Sequence, residues 1–129
     1  MGFAPALAIP RALEKAGLSL ADIDWIELNE AFAAQALAVI RDQDLDMDKT
    51  NPLGGAIALG HPVGATGSIL TLRTLYNLRR TNTEFGMVTM CIGGGQGVAA
   101  VFRALLNGEN ICQLHMLSSP PKRNLGWTY

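Results

Sequence analysis

Residues Ala31 to Ile40 read Ala-Phe-Ala-Ala-Gln-Ala-Leu-Ala-Val-Ile, a run of good helix formers that is apolar almost all the way round. A helix without a polar face belongs in an interior rather than on a surface. The run therefore predicts a central helix buried between two layers. A chain of 129 residues is long enough to build such layers around one core. Just before the run, Asp24-Trp25-Ile26-Glu27-Leu28 alternates polar and apolar residues, the period of a strand. Earlier still, Ala6 to Ala16 reads as a helix, with Pro5 and Pro10 punctuating its start and Gly17 stopping it.

Downstream, Asn51 to Gly67 carries Gly54, Gly55, Gly60, Gly64 and Gly67, a density that predicts tight turns and close backbone approach. Gly67 or Ser68 to Arg80 reads as a long helix with an apolar face of Ile69, Leu72, Leu75, Tyr76 and Leu78. Arg79 and Arg80 complement the dipole at its C-terminus. Phe85 to Cys91 and Val98 to Phe102 are apolar β-like runs. Gly93-Gly94-Gly95-Gln96-Gly97 joins them, so a hairpin is expected. The order helix, strand, helix, glycine loop, helix, hairpin specifies a layered α/β domain with a mixed sheet. From Asn107 onward periodicity is lost, and Ser118-Ser119-Pro120-Pro121-Lys122-Arg123-Asn124 reads as a tail. The expected division is one domain over residues 1–104 and a poorly ordered tail over 105–129.

Composition narrows the function classes. Hydrophobic residues are 49% of the chain and charged ones 16%, which suits a soluble domain with much buried surface, an oligomer or interdomain face included. A formal net charge of -1 offers no basic patch to nucleic acid or an anionic membrane. No apolar run approaches the roughly 20 residues that span a bilayer, and no secretory signal or Arg-rich presequence opens the chain. Cys91 and Cys112 are too few for a disulfide scaffold, which points to a reducing, intracellular compartment. Cys112 and His115 are two possible ligands, too few for zinc. The acidic stretch Asp42 to Asp48 lacks the glycine turn and bidentate Glu of a calcium loop and reads as solvated. No metal is expected.

Three segments carry chemistry: Asn29-Glu30-Ala31-Phe32, Gly54-Gly55-Ala56-Ile57-Ala58-Leu59-Gly60-His61-Pro62, and Cys91-Ile92-Gly93-Gly94-Gly95. Each ends a regular element and opens a turn, where α/β folds place ligand sites. His61, set between Gly60 and Pro62, can exchange a proton near neutral pH. Cys91, as thiolate, can be a nucleophile or a base. The amides at Gly93 can face an oxyanion, and Asn29 can donate there or hold a water. Each residue alone also has a structural reading. Asn29 suits a helix cap, Cys91 a small core residue, His61 a structural histidine, and the Gly93 loop a plain hairpin turn or a weak likeness of a phosphate loop. Together they suggest acyl or carbonyl chemistry.

The combination, in this order, resembles the thiolase family. The opening Met1-Gly2 with Pro5 and the segment Ala12-Leu13-Glu14-Lys15-Ala16-Gly17-Leu18 match too, so the likeness covers about residues 1 to 104. It is similar to the C-terminal half of such enzymes, and Asn51-Pro52-Leu53-Gly54-Gly55 looks like the 3-ketoacyl-CoA branch, particularly the peroxisomal type. The resemblance implies a two-step acyl transfer of fatty-acid β-oxidation, with coenzyme A as substrate and no bound cofactor. A cysteine of the N-terminal half attacks the 3-keto carbon, acetyl-CoA leaves, and free CoA takes the acyl group. On that likeness His61 activates the nucleophile and helps bind the thioester oxygen. Cys91 moves the α-carbon proton, Asn29 positions a water in one oxyanion hole, and Gly93 donates in the other. Met1 and Phe32 match residues near the pantetheine and acyl tunnel.

The same likeness implies a homo-oligomer in the full-length enzyme, in the cytoplasm or, in a eukaryote, in peroxisomes or mitochondria. It also implies that the nucleophilic cysteine lies upstream of this chain, since the surroundings of Cys112 match nothing in the family. Two functions compete: a thiolase part that works with its missing N-terminal half, and a non-catalytic thiolase-like fragment that serves as an interaction module or has no activity. The loss of pattern after Asn107 makes a separate expectation. Deleting residues 107–129 should leave the melting temperature, followed by circular dichroism, essentially unchanged.

Overall fold

The computed structural model of the protein describes residues 2–105. Helix α1 spans Ala4–Ala16, two residues longer at its start than the pattern suggests. Pro5 sits in the first turn, where an amide proton has no helical partner in any case. Gly17 closes the helix in the left-handed conformation (φ 68). There the amides of Gly17 and Leu18 return to the carbonyls of Glu14 and Leu13. Next come strand β1 (Trp25–Leu28), helix α2 (Ala33–Asp42), the short helix α3 (Ala56–Leu59) inside the glycine-rich stretch, and helix α4 (Thr66–Thr81). Strands β2 (Phe85–Ile92) and β3 (Gln96–Arg103) complete the described chain.

The sheet order is β1-β2-β3. β1 and β2 run parallel, from Trp25 opposite Gly86 to Leu28 opposite Thr89. β2 and β3 form the expected hairpin, from Phe85 opposite Arg103 to Ile92 opposite Gln96, so the sheet is mixed. Side-chain alternation divides the core. On one face Ile26, Leu28, Met87 and Val101 pack with Ile9 and Leu13 of α1 and with Ala36 and Val39 of α2. On the other, Val88 and Phe102 meet Leu70 of α4, and Trp25 meets Leu78. The sheet thus lies between α1 with α2 and α4. All four residues of β1 are buried, as expected for a strand covered on both faces.

Two expectations need correction. Helix α2 is not a buried central helix within this chain. It buries Gln35 beside Gly2, and Ala36 and Val39 in the core shared by α1 and the sheet, while Ala33, Ala34, Ala38 and Leu37 (46% exposed) face outward. Alanines make the run look apolar all round, yet one stripe is all the sheet can touch. Nothing among the described residues covers the other side. The face assigned to α4 is likewise turned. The helix buries Thr66, Leu70, Thr74, Asn77 and Leu78, and leaves Leu72 (53%) and Tyr76 (68%) exposed. The reason is the closeness of helix and strand. A Cβ at Gly86 of β2 would collide with the Thr74 methyl and crowd Leu78, so this face takes a small residue at 74. Thr74 satisfies its hydroxyl on the Leu70 carbonyl at 2.9 Å, which makes its burial tolerable.

The acidic stretch is an exposed turn, in which the Asp48 amide donates to Asp46 Oδ1 at 2.9 Å. The tail, with Cys112 and His115, lies outside the described residues. Leu78 is fully buried between α4 and the sheet. Leu78→Ala should therefore cost about 2–5 kcal/mol of unfolding free energy, read from urea denaturation of the chain.

Candidate active site

β1 delivers Asn29 to the carboxyl edge of the sheet. The Asn29 amide donates to the Thr89 carbonyl at 2.9 Å, continuing the parallel pairing one residue past the strand. Its side chain does not cap α2, whose N-cap position is Phe32 without a side-chain hydrogen bond. Instead Asn29, 1% exposed, places Nδ2 3.3 Å from His61 Nε2. Its Oδ1 is buried and has no partner among the described residues.

The loop that carries His61 is tied to the same strand. Ile26 donates to the Lys49 carbonyl at 2.9 Å, and Asn51 donates to the Ile26 carbonyl at 2.8 Å. Asn51 adopts a left-handed backbone (φ 48), which an asparagine tolerates. Its side chain then acts as a further rung: Oδ1 accepts from the Leu28 amide at 2.9 Å and Nδ2 donates to the Leu28 carbonyl at 2.8 Å. Nδ2 also reaches Glu30 Oε1 at 3.2 Å. The other Glu30 oxygen accepts from the Ile57 amide at 3.0 Å, at the start of α3. Gly55 lies directly against this carboxylate, where any Cβ would overlap it.

A second strut comes from α4. Arg73 donates to the Gly54 carbonyl at 2.7 Å and stands 3.4 Å from Glu27 Oε1. Glu27 is fully buried in β1 and accepts from Trp25 Nε1 at 2.9 Å through that same oxygen, while Oε2 has no partner. Burial is the main influence on Glu27 and raises its pKa; the Trp25 hydrogen bond and the Arg73 charge oppose this, and the neighbouring Glu30 adds to it.

His61 itself is exposed, with Nδ1 2.7 Å from Thr66 Oγ1. Cys91 is half-buried near the end of β2, two residues beyond Thr89. Gly93 opens the turn Gly93–Gly95, exposed, with Gly94 and Gly95 left-handed (φ 77 and 76). Direct contact thus joins Asn29 and His61. Cys91 and Gly93 share the β2 end of the same sheet edge, and among the described residues no hydrogen bond links Cys91 to His61 or Asn29. Phe32, 58% exposed, sits at the start of α2, and Met1 lies outside the described residues. An imidazole, an amide, a thiol and a glycine turn at one sheet edge suit proton transfer and the binding of a developing oxyanion.

Sequence reading assigns no individual role to the residues that build this edge: Thr66, Glu30, Asn51, Arg73 and Glu27. Thr66 had a signal, a hydroxyl at the first turn of a helix five residues after His61. Glu27 looked like the polar half of a strand's alternation, and only the helix packed across it makes it an interior carboxylate.

The fold and site define an α/β domain whose polar residues gather beyond the carboxyl ends of its parallel strands. The chain belongs to the thiolase family: the description "Thiolase, C-terminal domain" matches residues 1–104. It is 60% identical over 102 residues to the 3-ketoacyl-CoA thiolase of Bacillus subtilis (strain 168), covering 79% of this chain and 26% of that protein. Over 103 residues it is 55% identical to the peroxisomal 3-ketoacyl-CoA thiolase B of Rattus norvegicus, 79% of this chain and 24% of that one. A crystal structure of human mitochondrial 3-ketoacyl-CoA thiolase in complex with CoA superimposes with a TM-score of 0.79 at 53% identity, covering 81% of this chain and 26% of that one. The chain therefore spans about a quarter of the length of the relatives it matches. Identities of 55% and 53% do not separate the peroxisomal type from the mitochondrial. No helix among the described residues is long and apolar enough to cross a membrane.

Glu27 supplies a pH prediction. Its folded-state pKa lies above the ordinary value of 4.5. The stability tied to its neutral form is therefore complete below that value and is lost as pH rises through the folded pKa. Glu27→Gln keeps an acceptor for Trp25 and cannot ionise. The stability of the native chain relative to Glu27→Gln should fall as pH rises from 4.5 toward neutrality, measured by paired thermal melts. A flat difference would place the Glu27 pKa at its ordinary value.

Proposed function

We propose that this chain supplies the acid–base half of a thiolase site, which cleaves a 3-ketoacyl-CoA with CoA to acetyl-CoA and a shortened acyl-CoA, or runs the reverse condensation. The observation that carries the reading is the contact between Asn29 and His61, 3.3 Å apart although 32 residues separate them in sequence. It brings a donor amide and a proton acceptor to one point at the sheet edge, the arrangement an activated thiol and a developing oxyanion require. In this reading His61 takes the proton of a nucleophilic cysteine, whose sulfur attacks the 3-keto carbon. The bond between C2 and C3 breaks, and the thiol of Cys91 protonates the departing acetyl-CoA carbanion. The Cys91 thiolate then takes the proton of an incoming CoA thiol, whose sulfur lifts the acyl group from the enzyme, and the released cysteine thiolate regains its proton from His61. Asn29, through a water, and the Gly93 amide meet the two oxyanions. Phe32 lines the approach of the pantetheine and acyl chain.

The nucleophile comes from an N-terminal thiolase half that these 129 residues do not include. Residues 1–104 form the thiolase domain and residues 105–129 lie outside it. The exposed Leu72 and Tyr76 on α4 and Leu37 on α2 are apolar surface for that half to cover. Coenzyme A is a substrate, no bound cofactor takes part, and the assembled enzyme is a homo-oligomer. It acts inside the cell, in the cytoplasm of a bacterium or in the peroxisome or mitochondrion of a eukaryote.

The test is a thiolysis assay with acetoacetyl-CoA and a longer 3-ketoacyl-CoA, following loss of the enolate absorbance when CoA is added. The chain alone should show no turnover, because removing a catalytic nucleophile costs many orders of magnitude. With an added N-terminal half activity should appear, and His61→Ala or Cys91→Ala should abolish it. Turnover by the chain alone that survives Cys91→Ala and is lost in Cys112→Ala would overturn the assignment. No activity under any pairing would favour a non-catalytic fragment.

A further inference from the structure

We infer that Thr66 is a positioning residue that holds neutral His61 in its Nδ1–H tautomer and so leaves Nε2 as the ring's basic nitrogen. Thr66 is 4% exposed, at the first position of α4. Its Oγ1 touches two atoms: His61 Nδ1 at 2.7 Å and the Pro62 carbonyl at 2.9 Å. A hydroxyl has one proton to donate and lone pairs to accept with. A carbonyl oxygen only accepts. Two oxygens 2.9 Å apart with no proton between them would meet lone pair to lone pair, so the Thr66 proton belongs on Pro62 O. Thr66 Oγ1 is then an acceptor toward the ring, and Nδ1 must carry the hydrogen.

The other side of the ring agrees. His61 Nε2 faces Asn29 Nδ2, which can only donate, and a donor there requires a lone pair on Nε2. The chain Asn29 N–H to Nε2, Nδ1–H to Thr66, Thr66 O–H to Pro62 gives every proton one acceptor. The alternative, with Asn29 turned over and Nε2–H donating to it, puts the Thr66 proton on Nδ1 and leaves the short contact with Pro62 O unmade. Because Pro62 and Thr66 both lie in the segment that leads from His61 into α4, the fold of α4's first turn sets the tautomer. This inference rests on the proposed role of His61 as base. If it holds, Nε2 gains and loses a proton while the Nδ1–H bond to Thr66 stays as it is, and the ring need not reorient during the reaction.

The test needs no turnover. The full chain carrying His115→Gln has a single histidine, so 15N-labelled imidazole signals report His61 alone. Above the titration range of the ring, the native chain should show a pyridine-like nitrogen at Nε2 and a proton-bearing nitrogen at Nδ1. Thr66→Ser should keep that pattern, while Thr66→Val, equal in shape but without a hydroxyl, should shift the ring toward the Nε2–H tautomer. An Nε2–H tautomer in the native chain overturns the inference, as does a Thr66→Val chain whose tautomer is unchanged. If Thr66→Val fails to fold, the native tautomer and the serine variant still decide. In the enzyme reconstituted with an N-terminal half, Thr66→Val should lower kcat and alter its pH profile with KM little changed, and Thr66→Ser should restore both. A correct tautomer with no thiolysis would sink the functional reading and leave this one standing.

Discussion

β1 is buried on both faces, and that constraint organises the domain. A strand enclosed in this way needs helices on each side, which α1 with α2 and α4 provide. It also carries a carboxylate, Glu27, into the interior, where an ionised group needs a partner. Arg73 of α4 comes within 3.4 Å to provide one. The same guanidinium donates to the Gly54 carbonyl, so the group that answers a buried charge also fixes the loop that carries His61. Packing, charge compensation and site geometry meet in one side chain.

Holding of the loop is divided between rigid elements. Asn51 binds both backbone groups of Leu28, Glu30 binds the first turn of α3, and Arg73 reaches from α4. None of these residues needs to touch a substrate to matter. They set where the imidazole stands relative to Asn29. The exposed ring is thus carried by a framework that is itself part-buried and hydrogen-bonded.

Much of the fold was legible because its signals are local. Gly17 ended α1, a glycine run joined β2 to β3, and the alternation of Trp25 to Leu28 marked β1. The faces of α2 and α4 were not legible for a physical reason. Alanine and threonine fit an interior when backbones approach closely, and Gly86 brings α4 close enough that Thr74 is buried while Tyr76 is not. Periodicity of apolar residues cannot register that distance. The site divides in the same way. Asn29, His61, Cys91 and Gly93 stood out as reactive residue types in turns, but the meeting of Asn29 with His61 depends on the parallel bridge of Thr50 to Ile26 and on the Asn51 side chain paired with Leu28, which tie the loop to β1. Glu30, Asn51 and Thr66 are ordinary polar residues in sequence, and only their partners reveal what they hold.

The missing side chain at Gly55 ties two positions together across the fold. Glu30 fills the space a Cβ would need, and its carboxylate there receives both Asn51 and the Ile57 amide. The two sites are therefore not free to drift independently over evolutionary time. A larger residue at 55 would push the flexible end of Glu30 aside, and either that shift or a shortened residue at 30 releases α3 from its anchor. Lineages that changed one alone would have to recover the anchor of α3 by another contact.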